Sequence, residues 1–212
     1  MDNVIFETKD LSFHDTIHYQ DIKVVKDKVN FIVGSSGTGK STLLRMFNGT
    51  LTPSGGEIYY AGDNLLGMDT IKLRKEVSLI SQSVYLFDKS IRDNFIEFYE
   101  YRGLPAPKDE LMLEFLKLSQ INFPLEKDCT TMSGGERQRV YIAIFLSFRP
   151  KVIMLDEPTS ALDKDNGYNV IQNTISFCKS NSITVIIISH DNDLTKAFGE
   201  NIIRIRGGSI NG

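Results

Sequence analysis

The chain has 212 residues, 41% of them hydrophobic, with 24 Lys and Arg against 27 Asp and Glu and a net charge of −3. That length suits one domain with its own core and is too short to add a membrane domain. The acidic balance argues against a nucleic-acid partner, which would call for a basic face. The longest near-continuous apolar stretch, Val140 to Phe148, is about half of a membrane span.

Met1 to Phe6 lacks the basic start and long apolar core of a secretory leader, so a cytoplasmic chain is expected. Cys129 and Cys178 stand far apart without metal-ligand spacing, which leaves reduced, incidental thiols as the expectation.

In chain order, apolar and polar residues first alternate (Val4, Phe6; Ile17, Tyr19; Ile22, Val24), the pattern of antiparallel strands leaning on a core. Val29, Phe31, Ile32 and Val33, interrupted only by Asn30, predict a buried strand. It runs into Gly34-Ser35-Ser36-Gly37-Thr38-Gly39-Lys40-Ser41-Thr42, an ungapped match to G-x-x-x-x-G-K-[ST]. Leu43, Leu44, Met46 and Phe47 then supply the apolar face of a helix.

A strand before and a helix after distinguish a phosphate cradle from an ordinary Gly/Ser surface turn. The glycines let the backbone wrap a polyphosphate, and the helix N-terminus adds unpaired donors and a positive dipole end. Lys40 is expected to neutralise the β- and γ-phosphates, and the Ser41 hydroxyl to bind Mg²⁺.

Pro53-Ser54-Gly55-Gly56 predicts a turn and Glu57 to Tyr60 a strand. From about Tyr85 to Phe148 the pattern is helical: Ile91, Phe95 and Phe98, then Leu111, Phe115 and Leu118, separated by Gly103-Leu104-Pro105-Ala106-Pro107. Ser133-Gly134-Gly135-Glu136 reads as a capping box before the apolar run that starts at Val140. Its two glycines weaken a helix start unless something approaches the backbone closely, which also makes the segment a candidate anion site.

Val152 to Leu155 are consecutively apolar, as in a parallel strand covered on both faces, and end at Asp156-Glu157. Carboxylates at such a strand end fall beside the phosphate loop; Asp156 is the candidate metal ligand and Glu157 the group that polarises attacking water. Thr184 to Ser189 form another buried run ending at His190, and strand–helix–strand alternation continues to Ile205.

The phosphate loop, Met132-Ser133-Gly134-Gly135-Glu136 and Leu155-Asp156-Glu157-Pro158 together resemble the ATP-binding subunit of the ABC transporter superfamily. The resemblance implies an α/β fold, a P-loop NTPase core with a mainly parallel sheet, N-terminal antiparallel strands and an inserted α-helical subdomain. It implies one domain over 1–212, with an ATPase core at about 1–84 and 149–212 and a helical subdomain at about 85–148 that offers a groove to a permease.

ATP and Mg²⁺ are the implied cofactors. Ser133, Gly134 and Gly135 are then expected to reach the γ-phosphate held by the opposite subunit of a head-to-tail dimer, made with a second copy or a paralogous ATPase. Gln82 would link the metal site to the transport partner, Asp163 would lie at the dimer interface, and His190 would serve catalysis with Glu157.

A separate transmembrane permease would hold the chain on the inner face of the membrane. Met132 and Glu136 replace the family's common leucine and glutamine. The tyrosine expected to stack on adenine is replaced by Asp15, leaving Phe13, His14 or Tyr19 as substitutes. The chain also looks similar to small bacterial ATPases paired with metal or iron exporters. The competing readings are a non-transport ABC-type ATPase acting as a scaffolding switch and a metabolic kinase with a phosphate loop.

Overall fold

A computed structural model describes residues 3–14 and 16–206. Two sheets face each other. The first is antiparallel and built from β1 (Val4–Phe13), β2 (Ile17–His18), β3 (Lys23–Val25), β5 (Gly55–Tyr60) and β6 (Asp63–Asn64), in the order β2-β1-β5-β6 with β3 on β1. The second is parallel, from β4 (Val29–Val33), β7 (Val77–Ile80), β8 (Val152–Asp156), β9 (Thr184–Ile188) and β10 (Asn201–Arg204), in the order β10-β4-β9-β8-β7.

The expected α/β class, with an antiparallel N-terminal layer and a parallel core, is the observed one. One detail shifts: the strand predicted from Glu57 already begins at Gly55, because Gly55 pairs with Ser12. A Cβ on Gly56, whose φ is +78°, would stand 2.4 Å from the Asp10 carbonyl, so the turn glycine is also a strand residue pressed on its neighbour.

The parallel strands are apolar on both faces because both faces are covered. Ile32, Val152, Met154, Ile186 and Ile188 point toward the antiparallel layer and α1 (Lys40–Phe47). Phe6 stacks on Phe47 at 4.5 Å between ring centroids and ties that layer to the helix. Phe31, Ile153, Leu155, Val185 and Ile187 point the other way, into a core shared with α5 (Gly134–Ser147) and α6 (Lys164–Ser180).

Between β7 and β8 lie α3 (Ile91–Tyr101), α4 (Asp109–Leu118) and α5. The run Val140 to Phe148 is thus the buried face of α5 and its C-cap, and among the described residues no helix is long and apolar enough to cross a membrane. The short α2 (Thr70–Glu76) precedes β7 and α7 (Asn192–Phe198) follows β9. Cys129 and Cys178 are free and buried, and burial pushes their thiols up to about 11 and about 12, so both are inert at neutral pH.

Candidate active site

Strand order gathers the site. β4, β9, β8 and β7 are parallel neighbours, so their carboxyl ends share one edge. Ile80 pairs with Leu155 and Asp156 with Ile188. Two residues past Ile80 and Leu155 stand Gln82 and Glu157, and two past Ile188 stands His190. The phosphate loop leaves the end of β4 on the same edge.

Within that loop the backbone requires its glycines. Gly37 and Gly39 have φ of +78° and +87°, and a Cβ on Gly34 would stand 2.5 Å from the Ile205 carbonyl oxygen. Gly39 caps α1 in the left-handed conformation without a side-chain bond. Among the described residues, the backbone N–H groups of Ser35, Ser36, Gly37, Thr38 and Gly39 have no protein acceptor. They are a row of unpaired donors at a helix N-terminus, which fits an anionic chain of phosphates. Lys40 is buried, its Nζ donating to the Gly34 carbonyl at 3.0 Å and the Ser35 carbonyl at 2.8 Å, so the ammonium is already folded over the loop. Ser41 and Thr42 open α1 beside it.

Tyr19 is one of the residues the sequence left open as an adenine platform. The structure removes it from that role: its ring is buried under the loop and its hydroxyl donates to the Gly39 carbonyl at 2.9 Å. Burial raises that phenol to about 12. Phe13 packs edge-on against His14, whose N–H donates to Ser54 Oγ at 2.8 Å. Asp15 lies outside the described residues.

Asp156 is 5% exposed, and its Oδ1 has no hydrogen-bond partner. Burial pushes its carboxyl above the usual range and the Glu157 charge adds to this, while Ser41, Arg45 and Lys40 pull the other way. An orphaned carboxylate oxygen beside a serine hydroxyl is an expensive arrangement by itself and a good one for a hard divalent cation with oxygen ligands. The donor set therefore fits Mg²⁺.

Glu157 sits at a φ of +48°, held there by its N–H on the Ile188 carbonyl at 3.0 Å. A non-glycine residue in this left-handed region is strained, and such strain gathers at functional sites. Its Oε1 lies 3.2 Å from His190 Nε2, and its Oε2 accepts from Gln82 Nε2 at 3.5 Å. Gln82 and His190 thus flank the Glu157 carboxylate, one on each oxygen, from three strand ends.

Ser133, Gly134, Gly135 and Asp163 form a second group. Ser133 caps α5: its Oγ accepts from the Glu136 N–H at 3.3 Å, and Glu136 accepts from the Ser133 N–H at 2.8 Å. These bonds hold the Glu136 carboxyl below its ordinary value. A Cβ on Gly135 would meet the Ala161 carbonyl oxygen at 2.7 Å and Leu162 Cδ2 at 2.9 Å, whereas one on Gly134 meets nothing closer than Ala161 Cβ at 4.0 Å. The backbone that approaches Gly135 is thus the chain's own segment before Asp163.

Asp163 caps α6, accepting from Asn166 N at 3.0 Å, and those bonds lower its carboxyl. Among the described residues no hydrogen bond joins this group to residues 34–42.

A phosphate loop after β4 and an acidic pair after β8, with β9 between them in one parallel sheet, define a P-loop nucleoside triphosphatase. The family described as ABC transporter matches residues 17–160. The phosphonates import ATP-binding protein PhnC of Wolinella succinogenes is 32% identical over 89% of this chain and 74% of its own length. The phosphate import ATP-binding protein PstB 2 of Bacillus subtilis is 34% identical over 89% and 76%. The probable iron export ATP-binding protein FetA of Escherichia coli is 34% identical over 76% and 72%.

Among solved structures, cbiO1 of Clostridium perfringens, part of the ABC transporter complex cbiONQ, superposes with a TM-score of 0.84 at 28% identity, covering 97% of this chain and 86% of that one. The chain belongs to the ABC transporter family, as one of its ATP-binding subunits and an ATPase. Importers and an exporter stand at similar identity, so the likeness to iron-exporter ATPases is shared with other cargoes.

Proposed function

We propose that this subunit hydrolyses ATP between the phosphate loop of one chain and the Ser133–Gly135 segment of a second, in a head-to-tail dimer that drives a separate membrane permease. The observation that carries this reading is the separation of two donor sets. Residues 34–42 and the N-terminus of α5 both offer unpaired backbone N–H groups, yet α1 packs with the antiparallel layer on one face of the parallel sheet and α5 in the core on the other. A triphosphate bound to one set leaves its far oxygens for the other. ATP then has differential affinity for the paired state, which is what a nucleotide-driven switch needs.

In this scheme Ser41, Gln82 and Asp156 would hold Mg²⁺. Bound there, the ion neutralises charge on the β- and γ-phosphates. Lys40 binds the same phosphates, and Glu157 accepts the proton of the attacking water. His190 and Gln82 hold the Glu157 carboxylate in place, and Asp163 faces the partner chain.

The permease is assigned to a groove of about 370 Å³ between α2, β7 and the ends of α3 and α5, lined by Ile71, Leu79, Tyr101 and Phe145. Ile71 is 65% and Tyr101 75% exposed, unusual for large apolar groups without a partner. Helices from 85–148 would turn with the permease, and the chain would sit on the inner face of the membrane through it.

The test uses Glu157→Gln protein with Mg-ATP. Light scattering should show a dimer that disperses when ATP is omitted. Incubation with solubilised membranes should then retain one multi-span protein, and Ile71→Glu should release it. A dimer that forms equally without ATP would overturn the switch, and recovery of soluble partners alone would favour the scaffolding ATPase.

A further inference from the structure

Gln82 is the second residue of the loop between β7 and α3, and Ser133 is the N-cap of α5. Backbone bonds pair the end of that loop with the segment leading to Ser133: Cys129 N donates to the Lys89 carbonyl and Ile91 N to the Lys127 carbonyl, each at 3.0 Å. Buried Asn94 shapes the loop from α3, accepting from Phe87 N at 2.8 Å and donating to the Ser90 carbonyl at 2.9 Å.

One side chain spans both segments. Arg137, in the first turn after the Ser133 cap, donates Nη1 to the Cys129 carbonyl at 2.7 Å and Nη2 to the Leu86 carbonyl at 3.2 Å. Leu86 is four residues after Gln82, and Cys129 is four before Ser133. Among the described residues, the Leu86 carbonyl has no other donor.

We propose that Arg137 is a positioning residue that couples Gln82, and through it the Glu157 carboxylate, to the start of α5. The planar guanidinium presents two nitrogens at a fixed separation, one to each carbonyl, whereas a lysine ammonium would have to reach both from a single point on a flexible stem. A displacement of Gln82 at the metal edge then moves the Ser133 N-terminus with it. This rests on the catalytic roles proposed for Gln82 and Ser133, but Arg137 touches no reacting atom.

The experiment is a double-mutant cycle on Mg-ATP hydrolysis by the full chain, combining Gln82→Ala with Arg137→Gln and with Arg137→Lys. Arg137→Gln should lower kcat about tenfold, within the range of coupling between residues of one network. KM for Mg-ATP and the affinity for a fluorescent ATP analogue should stay within about twofold, because the phosphate loop is untouched. Arg137→Lys should restore only part of the rate. In the Gln82→Ala background, Arg137→Gln should cost less than about twofold, since the coupled partner is already gone.

A full tenfold loss in that background would overturn the coupling, as would an Arg137→Gln enzyme with unchanged kcat. Loss of nucleotide affinity and unfolding temperature in parallel with rate would show a merely structural arginine. Failure of Glu157→Gln to dimerise with Mg-ATP would strike the dimer reading instead and leave this cycle interpretable.

Discussion

Replacing Asp156 by asparagine should stabilise the ligand-free protein while abolishing its response to Mg-ATP. The carboxylate is buried, and one oxygen has no partner. Asparagine leaves that position polar and unpaired but removes the charge, and burying a charge partly offset by neighbouring cations costs about 1–3 kcal/mol more than burying its neutral isostere. For a chain of this size, about 1 kcal/mol moves the unfolding temperature by roughly 2–4 °C. Asp156→Asn in EDTA at neutral pH should therefore melt about 2–12 °C above wild type.

The pH dependence follows from the raised native pKa of Asp156. Between the unfolded value and that raised value the native state holds more protons than the unfolded chain, so wild-type stability falls as pH rises through the window. The gap between variant and wild type should be complete above it and close at acid pH, where Asp156 is neutral in both states.

Mg-ATP at about 100 times its Kd should stabilise wild type by about 2.7 kcal/mol. The variant should gain much less from the magnesium form than wild type does. Calorimetry or fluorescence-monitored melting across pH, with and without Mg-ATP, decides the matter. A variant less stable than wild type at every pH would refute the reasoning, because Asp156 would then be a paired structural group.

Glu157→Gln should keep nucleotide affinity within about twofold and lower kcat by about 10²–10⁴, the usual contribution of a positioned base; steady-state turnover within about tenfold of wild type would assign the water to another group. Gly134→Ala, with open space at its Cβ, should melt like wild type yet hydrolyse poorly, since the methyl blocks the donor face. Gly135→Ala should lose about 1–3 kcal/mol as well, because its methyl meets the Ala161 carbonyl oxygen at 2.7 Å; equal melting of the two variants would contradict the packing.

Arg102 is a further lock between the helices and the core, donating to the Arg74 and Lys75 carbonyls and to Ser78 Oγ, with its guanidinium carbon 3.9 Å from the Phe148 ring centroid. Burial lowers it to about 10, so it remains charged at neutral pH. Arg102→Met should cost about 2–4 kcal/mol in urea unfolding; no change in midpoint would mean that its bonds are made equally well to water.

Residues whose role is set by near neighbours were legible from the sequence. The apolar run before Gly34, the loop itself, the Ser133–Glu136 capping box and the apolar run ending at Asp156 each declare a local conformation, through burial period, glycine dihedrals or a reciprocal cap. Short elements were less legible. In α2 only Leu73 is buried, so seven residues carry no periodic signal, and its one mark is the Asp69 cap. The four-residue β7 likewise needed its partner β8 to declare it.

The sequence by itself determined the chemistry available: a phosphate-binding backbone, a lysine and serine at a helix start, two strand-end carboxylates and a capped glycine pair. Tertiary structure decided which groups meet. Strand order alone brings Gln82, Glu157 and His190 together from three distant segments. Packing turned Tyr19 into a support for Gly39, set Gly135 against Ala161 and stranded one oxygen of Asp156 without a partner. Conformation at one residue follows from short-range sterics and hydrogen bonds. Contact between residues 75 or 157 positions apart depends on how sheets order and layers cover one another, which only the assembled core settles.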